Sequence, residues 1–452
     1  MPIFNAAKMG AAEIGDQEKI RALPWSLASG MLIAVFALWT FGGSVFVLFL
    51  RELGLPIGQI GILLSLFPFC GLIALGFAPM AARLGRKRTV IMCYGARKWV
   101  MALLLLLPAV SAAFGHSAAI FFLAGVIVVF AVLRALAETA WYPWAQEYVP
   151  DRVRGKFSAW SAVLGFVASS VALAIAGAVL DRGTGLGRFL GLIGAGSVLG
   201  FIGVLLLMKV PGGAPVARTA GGLAHGASMA AALRDRNFVY YLIGLAGQTI
   251  GLTMLISFLP LFLRDRIGVS AATVVRLDML AMAGGALASL GWGWLSDRVG
   301  SRPVLMPASA LLALLPLGWL WLSRGASQAL VAAGVLFALY GVASHGALLG
   351  AARLLNNDVA PREKSTAYMA IYYAGMGLAG GIAPLLAGGV LAVFAAGRLA
   401  RFGLGSDGYA VLFSLALLFF ATSWHFFGRV RPDGRYTTRS AVRGFMSRIA
   451  QR

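Results

Sequence analysis

Arg134 and Glu138 stand four residues apart inside an otherwise apolar run. At that spacing they share one face of a helix and can pair. A charge deep in a lipid-crossing helix costs about 2.5–3.5 kcal/mol on insertion scales, so it needs a partner or a watery cavity. Such a pair could hold an anion on the guanidinium and exchange a proton at the carboxylate; it could equally be a static ion pair. His345 lies in a second apolar run and is of the type that titrates nearest neutral pH. Weaker candidates are Ser44 (with Thr40), Gln248, Thr253, Ser257, Tyr340 and Ser344, whose hydroxyls and amide can bond a solute or only pack helices. Trp141 and Tyr142 follow Glu138 and could stack on a ring; an interfacial belt accounts for Trp144 as well. Arg276 and Asp278 are expected near the outer end of a helix, gating a vestibule or snorkelling outward. Arg97 and Lys98 are expected to snorkel to the inner surface.

The elements that carry these residues follow from composition. Of 452 residues, 60% are hydrophobic and 12% charged, against roughly 45–50% and about 25% in soluble domains. Such a chain cannot cover its own surface with polar groups, and a bilayer removes that need. The net charge of +22 sits in short segments between apolar runs, which points to membrane orientation and not to nucleic acid. Cys70 and Cys93 lie in separate apolar runs, fit no metal spacing and are expected to stay unpaired. The first 23 or so residues are polar and mixed in charge, unlike a cleavable signal.

Apolar runs of spanning length are read near 25–50, 57–81, 89–111, 118–146, 156–180, 188–210, 237–262, 271–296, 303–323, 327–352, 366–394 and 409–429. Basic residues concentrate at 83–88, 151–156, 298–302, 353–364 and after 429, and alternate with poorer segments. The rich side is expected to be cytoplasmic, with both termini there. Arg264, Arg266, Arg398 and Arg401 run against the rule. The polar segment 211–236 joins the halves. In the tail, Arg435, Arg439 and Arg443 are four apart, with Val442, Phe445, Met446 and Ile449 interleaved, as in an amphipathic helix on the inner leaflet or in a disordered basic tail.

The chain repeats itself. LFLRELG at 48–54 returns as LFLRDRIG at 261–268, an offset of about 213 residues, and ARLGRKR at 82–88 returns as DRVGSRP at 297–303, about 215 on. The segment at Pro150 matches that at Pro361, about 211 on. Duplicated six-helix halves are what a transporter uses to open one site to either side. Under the last offset Arg134 maps onto His345, and under the first Ser44 maps onto Ser257.

With these landmarks the sequence resembles the major facilitator superfamily, whose signature between helices two and three reads G-x-L-x-D-R-x-G-R-K. Gly293, Leu295, Asp297, Arg298, Gly300 and Arg302 match it in the second half, and Arg83, Gly85, Arg86 and Lys87 in the first, where Ala82 and Ala78 replace the acid and the first glycine. The resemblance implies a cavity lined by helices one, four, seven and ten. It also implies a cytoplasmic gate in which Asp297 meets the start of helix five, near Arg154 to Ser158, and in which Arg83 or Arg86 pairs with Glu363. Arg134 matches the arginine of a helix-four signature found in proton-coupled members, although Ala137 and Glu138 depart from its glutamine and glycine. Glu138 and His345 are then the groups expected to change protonation.

Gly375, Gly377 and Gly380 form GxGxxG, but within an apolar helix and with no strand before it, so close helix packing explains it better than a dinucleotide. The run resembles an antiporter helix, but not at its usual place. No GxxxxGK[ST], HExxH or GxSxG occurs.

The expectation is an all-α membrane protein of about twelve spanning helices in two pseudo-symmetric six-helix bundles. Residues 1–24 form an N-terminal tail, 25–210 the first bundle, 211–236 a cytoplasmic linker, 237–430 the second bundle and 431–452 a basic tail. The expected function is secondary active transport of a small organic solute, coupled to protons, with drug-type efflux as the alternative. An alternative of another class is a membrane-embedded assembly factor or enzyme without transport. No enzymatic activity, cofactor or metal is expected. The partners are a small-molecule substrate, protons and the lipid bilayer, with no nucleic acid. The protein should be a monomer in a bacterial inner membrane, both termini cytoplasmic.

Overall fold

The computed structural model describes residues 15–215, 225–323, 328–360, 365–396 and 407–433, with the side chains of 73–83, 225–229, 323 and 365–367 excepted. The Arg83 side chain, Glu363, Arg398, Arg401, Arg435, Arg439 and Arg443 therefore lie outside the described residues.

The described chain is helical: α1 Asp16–Thr40, α2 Gly43–Glu52, α3 Ile57–Leu84, α4 Arg86–Ala102, α5 Leu107–Tyr148, α6 Asp151–Asp181, α7 Gly187–Leu207, α8 His225–Arg234, α9 Arg236–Phe262, α10 Ala271–Val299, α11 Arg302–Ser323, α12 Ala329–Leu354, α13 Ser365–Ala395 and α14 Gly408–Phe427. Ten stretches among the described residues are long and apolar enough to cross a membrane. In lipid a helix satisfies its own backbone, so apolar runs of this length have few alternatives. One stretch, Arg86–Tyr148, is 63 residues long. It contains a short 3₁₀ turn at Leu103–Leu106 and a non-helical Gly115 at φ 86°. Outward-facing Leu290, Phe121 and Leu287 are each more than three-quarters exposed, which suits a surface solvated by acyl chains.

Two local features were not read from the sequence. The first apolar run is broken at Phe41–Gly43, where Gly43 takes φ 64°, so α1 and α2 are separate helices. The segment 211–236, read as a linker, contains α8, whose sequence HGASMAAALR is rich in the best helix former.

The chain divides into two compact units. The first holds residues up to Thr40, then Ile73–Ala172 and Leu190–Ala220. In it α4 packs along α5. The second holds Phe41–Leu72, Leu173–Phe189 and everything from Gly221. There α10 lies on α12, α11 on α12 and α14, α9 on α13 and α14, and α2 on α9 and α10. The GxGxxG glycines are in α13, as helix packing requires. A Cβ at Gly377 would stand 2.7 Å from Leu72 of α3, and the Cα atoms of Gly61 and Gly388 approach close enough that a Cβ on either would lie 3.0 Å from the other's Cα.

The repeat is visible in the backbone. Gly54 and Gly268 both end a helix in the left-handed region, at φ 76° and 80°, and Gly85 and Gly300 sit at φ 92° and 96° before α4 and α11. LFLRDRIG has one more residue than LFLRELG, and a π-turn at Leu263–Ile267 absorbs it.

Candidate functional site

In the first unit, α5 presents Arg134 and Glu138, and Arg134 Nε donates to Glu138 Oε1 at 2.8 Å. The i,i+4 pairing expected from the sequence is thus present, with both side chains partly exposed. The nearby cations of α4 are not where the sequence reading put them. Arg97 and Lys98 do not snorkel: they retain 3% and 1% exposure. They lie about 17 Å of helical rise beyond Arg86, farther than a side chain can reach back to a surface. Lys98 Nζ stands 3.3 Å from the ring centre of Phe36, and Arg97 Cζ stands 3.8 Å from that of Tyr94, with Phe130 behind. Neither Lys98 Nζ nor Arg97 Nε has a hydrogen-bond partner among the described residues. Arg97 interacts with the Tyr94 phenol and, at longer range, with Glu138 and Arg134. Aromatic faces stand in for a counter-ion, at about 2 kcal/mol or more for a desolvated cation. Room for this depends on Gly200 of α7, where a Cβ would lie 2.8 Å from Phe36 Cγ and 3.0 Å from Lys98 Cε. The result is three cations and one carboxylate on two neighbouring helices.

The aromatic run after Glu138 divides. Trp141 stacks on Tyr94, with 6.1 Å between centroids, and Tyr142 is exposed. Trp144 is no interfacial belt residue: it is fully buried and donates from Nε1 to the Pro211 carbonyl at 3.0 Å.

In the second unit the polar groups are mostly neutral. His345 Nδ1 is 3.0 Å from the Gly341 carbonyl, which can only accept, so Nδ1 carries a hydrogen in this contact. The ring presses on Gly285 of α10, where a Cβ would overlap Nδ1. Ser344 donates to the same Gly341 carbonyl at 3.2 Å. Gln248 is buried and accepts from Ser309 at 3.4 Å. Ser257 is buried and Thr253 half-buried on α9. Ser44, at the start of α2, is buried, and its N–H donates to Asp278 Oδ2 at 3.3 Å. Tyr340 lies within electrostatic reach of that carboxylate. Asp278 therefore turns inward, whereas Arg276 pairs with Asp181 at 2.6 Å. Thr40, at the end of α1 and in the first unit, spends its hydroxyl on the Phe36 carbonyl of its own helix.

The signature residues are held within their own units. Arg86 pairs with Glu147 at 3.6 Å, and the Lys87 N–H donates to Gly213 O at 3.2 Å after the turn at Gly85. Arg154, near which Asp297 was expected, pairs with Asp151 at 2.6 Å. Asp297 accepts from Arg353 of α12 at 2.5 Å. Arg298 stacks on Trp294, Gly293 has open space around it, and Gly300 provides the positive-φ turn before Arg302, which donates to the Gly428 carbonyl. Asp433 Oδ1 accepts from the N–H groups of Ser301 and Arg302, and its Oδ2 accepts from Asn357. Burial pushes the Asp433 carboxyl up, but these hydrogen bonds outweigh it and hold the group below its ordinary value.

Ten stretches of membrane-crossing length among the described residues define the class of an integral membrane protein. The family model described as Major Facilitator Superfamily matches residues 27–384 and 277–443, and the chain belongs to that superfamily. No curated protein matches the sequence. Among solved structures, it is similar to a bacterial homologue of the human lysosomal transporter Spinster in an inward-facing, unoccupied conformation, at 17% identity and TM-score 0.64 over 95% of this chain and 98% of that one. It is similar to a mutant form of the nucleoside transporter NupG, at 12% identity and TM-score 0.66 over 90% and 98%. It is also similar to a D-xylose-proton symporter, at 15% identity and TM-score 0.65 over 90% and 97%. Likeness at this identity establishes the fold alone.

Proposed function

We propose that this protein is a secondary active transporter that moves a small organic anion by alternating access, coupled to protons, through twelve spans in a bacterial inner membrane. The observation that carries the reading is the cluster of Arg97, Lys98, Arg134 and Glu138 inside spanning helices. Three cations against one carboxylate leave an excess of positive charge, which favours a solute bearing a carboxylate or phosphate. Glu138 is the exchangeable carboxylate: with its proton on, it releases Arg134 to the solute, and with its proton off, it reclaims the guanidinium. His345 offers a second titratable group at the corresponding place in the other half. Twelve spans follow if Arg86–Tyr148, at 63 residues, crosses twice and α3 crosses once.

The test is solute flux into proteoliposomes with and without an imposed pH gradient, screened against carboxylates, phosphorylated solutes and sugars. Accumulation of an acidic solute that depends on the gradient and is abolished by Glu138→Gln is the expected result. Transport that ignores the pH gradient would remove the coupling, and absence of flux for every solute class would favour a non-transporting role.

A further inference from the structure

The doublets Arg51-Glu52 and Arg264-Asp265 correspond under the offset of about 213 residues. Each stands at the end of the first span of its half, Asp16–Glu52 and Arg236–Ile267. Both belong to the second unit, because the chain enters that unit at Phe41, at the break between α1 and α2. The two doublets bind each other crosswise: Arg51 Nη2 is 2.9 Å from Asp265 Oδ2, and Arg264 Nη2 is 2.6 Å from Glu52 Oε2. Exchanging the repeats turns one bridge into the other, so this is a two-fold self-complementary contact.

The surroundings reinforce both bridges. Glu52 also accepts from the Gly185 N–H at 3.1 Å and lies 3.7 Å from Arg188. Seven residues before Arg51, on the same face of α2, the Ser44 N–H is held by Asp278. The two bridges are partly shielded, with Glu52 at 14% side-chain exposure. Arg264, an exception to the orientation rule, thus has a local partner.

We propose that these mirrored doublets are the gate of the transport cycle at the membrane face opposite the two termini. The inference rests on the alternating-access reading above. While both bridges are made, α2 is fastened to α9 and that face is shut. Opening it requires both to part, and their symmetry means that neither half can yield alone. The cost of parting them is set by four side chains that do not touch the Arg134–Glu138 pair, so the gate can be weakened without altering that site.

The experiment labels a single cysteine behind the gate. Cys70 and Cys93 are replaced by serine, Ser44→Cys is introduced, and a membrane-impermeant maleimide is applied to each face of vesicles in separate samples. Slow labelling is expected with the native doublets. Asp265→Arg should speed it about tenfold from the face opposite the termini, and adding Arg51→Asp should return it to the slow rate by restoring the pair with reversed polarity. Size-exclusion profiles check that each variant is folded, and the reversed pair carries the test if the single variant is not. Equal rates in all three proteins, or a reversed pair that labels as fast as Asp265→Arg, would overturn the gate. Acceleration confined to the face bearing the termini would support the gate and overturn the proposed orientation.

Discussion

The two halves keep the same turns and exchange the same doublets, yet their interiors carry different chemistry. The first half places Arg97, Lys98, Arg134 and Glu138 in the membrane. The repeat places Leu312, Ala313, His345 and Leu349 at the corresponding positions. Leu312 is fully buried, as its counterpart Arg97 nearly is, so at that position the environments are comparably enclosed and only the groups inside them differ. Helix ends and glycine turns are demanded by the fold in both copies. At these four positions the second copy carries no arginine, lysine or carboxylate, so charge there is not demanded by the fold; its inward carboxylate is Asp278, at a different place on α10.

The sharpest way to break this contrast is to give the first half the residues of the second. Arg97→Leu with Lys98→Ala should lower flux of the acidic solute at least about tenfold, a loss of about 1.4 kcal/mol or more. Thermal stability should hold or rise, because replacing buried charge by apolar side chains is often neutral or stabilising by about 1–4 kcal/mol. A fall in melting temperature at unchanged flux would make these cations structural.

Smaller effects are expected from the glycines that make room for the two interiors. Gly200→Leu should cost about 1–3 kcal/mol through overpacking against Phe36 and Lys98. Gly285→Ala should act on His345 alone, and thermal unfolding followed by tryptophan fluorescence would compare them. If Gly200→Leu is silent, the aromatic enclosure of Lys98 is looser than the distances imply.

The smallest effect concerns the loop ties. In the first half Glu147 gathers Arg86 and the Gly213 N–H, whereas in the second Asp433 gathers Ser301, Arg302 and Asn357. The Asp433 carboxyl is held below its ordinary value of 3.8. Its stabilisation is therefore present above that pH and lost as pH falls through the lower folded value. Asp433→Asn should lower stability at neutral pH, converge with the native protein at the lowest pH, and so flatten the acid limb of the stability curve. Identical acid limbs would show that the tie contributes nothing through charge.

Several features were legible in the sequence for local reasons. The pairing of Arg134 with Glu138 follows from spacing on one helix. Gly85 and Gly300 stood out as matching positions of one motif, although the positive φ of each shows only in the backbone. The packing role of Gly377 and Gly380 follows from small residues in an apolar run. Other features depend on what lies opposite. Nothing in the order of residues says that Arg97 and Lys98 face Phe36 and Phe130, which are far away along the chain, or that Trp144 reaches the Pro211 carbonyl. The break at Phe41–Gly43 was hidden because its flanks are as apolar as any spanning helix.

Composition and periodicity alone determined that the chain lives in lipid and that it is helical, because a bilayer admits few backbone solutions, and the landmarks recurring at offsets of about 211–215 residues pointed to a repeat. Only the folded chain decided which charges are buried, which are paired and with whom. Those outcomes depend on distances between segments remote in sequence, and in a low-dielectric interior a few ångströms separate an ion pair from an isolated charge.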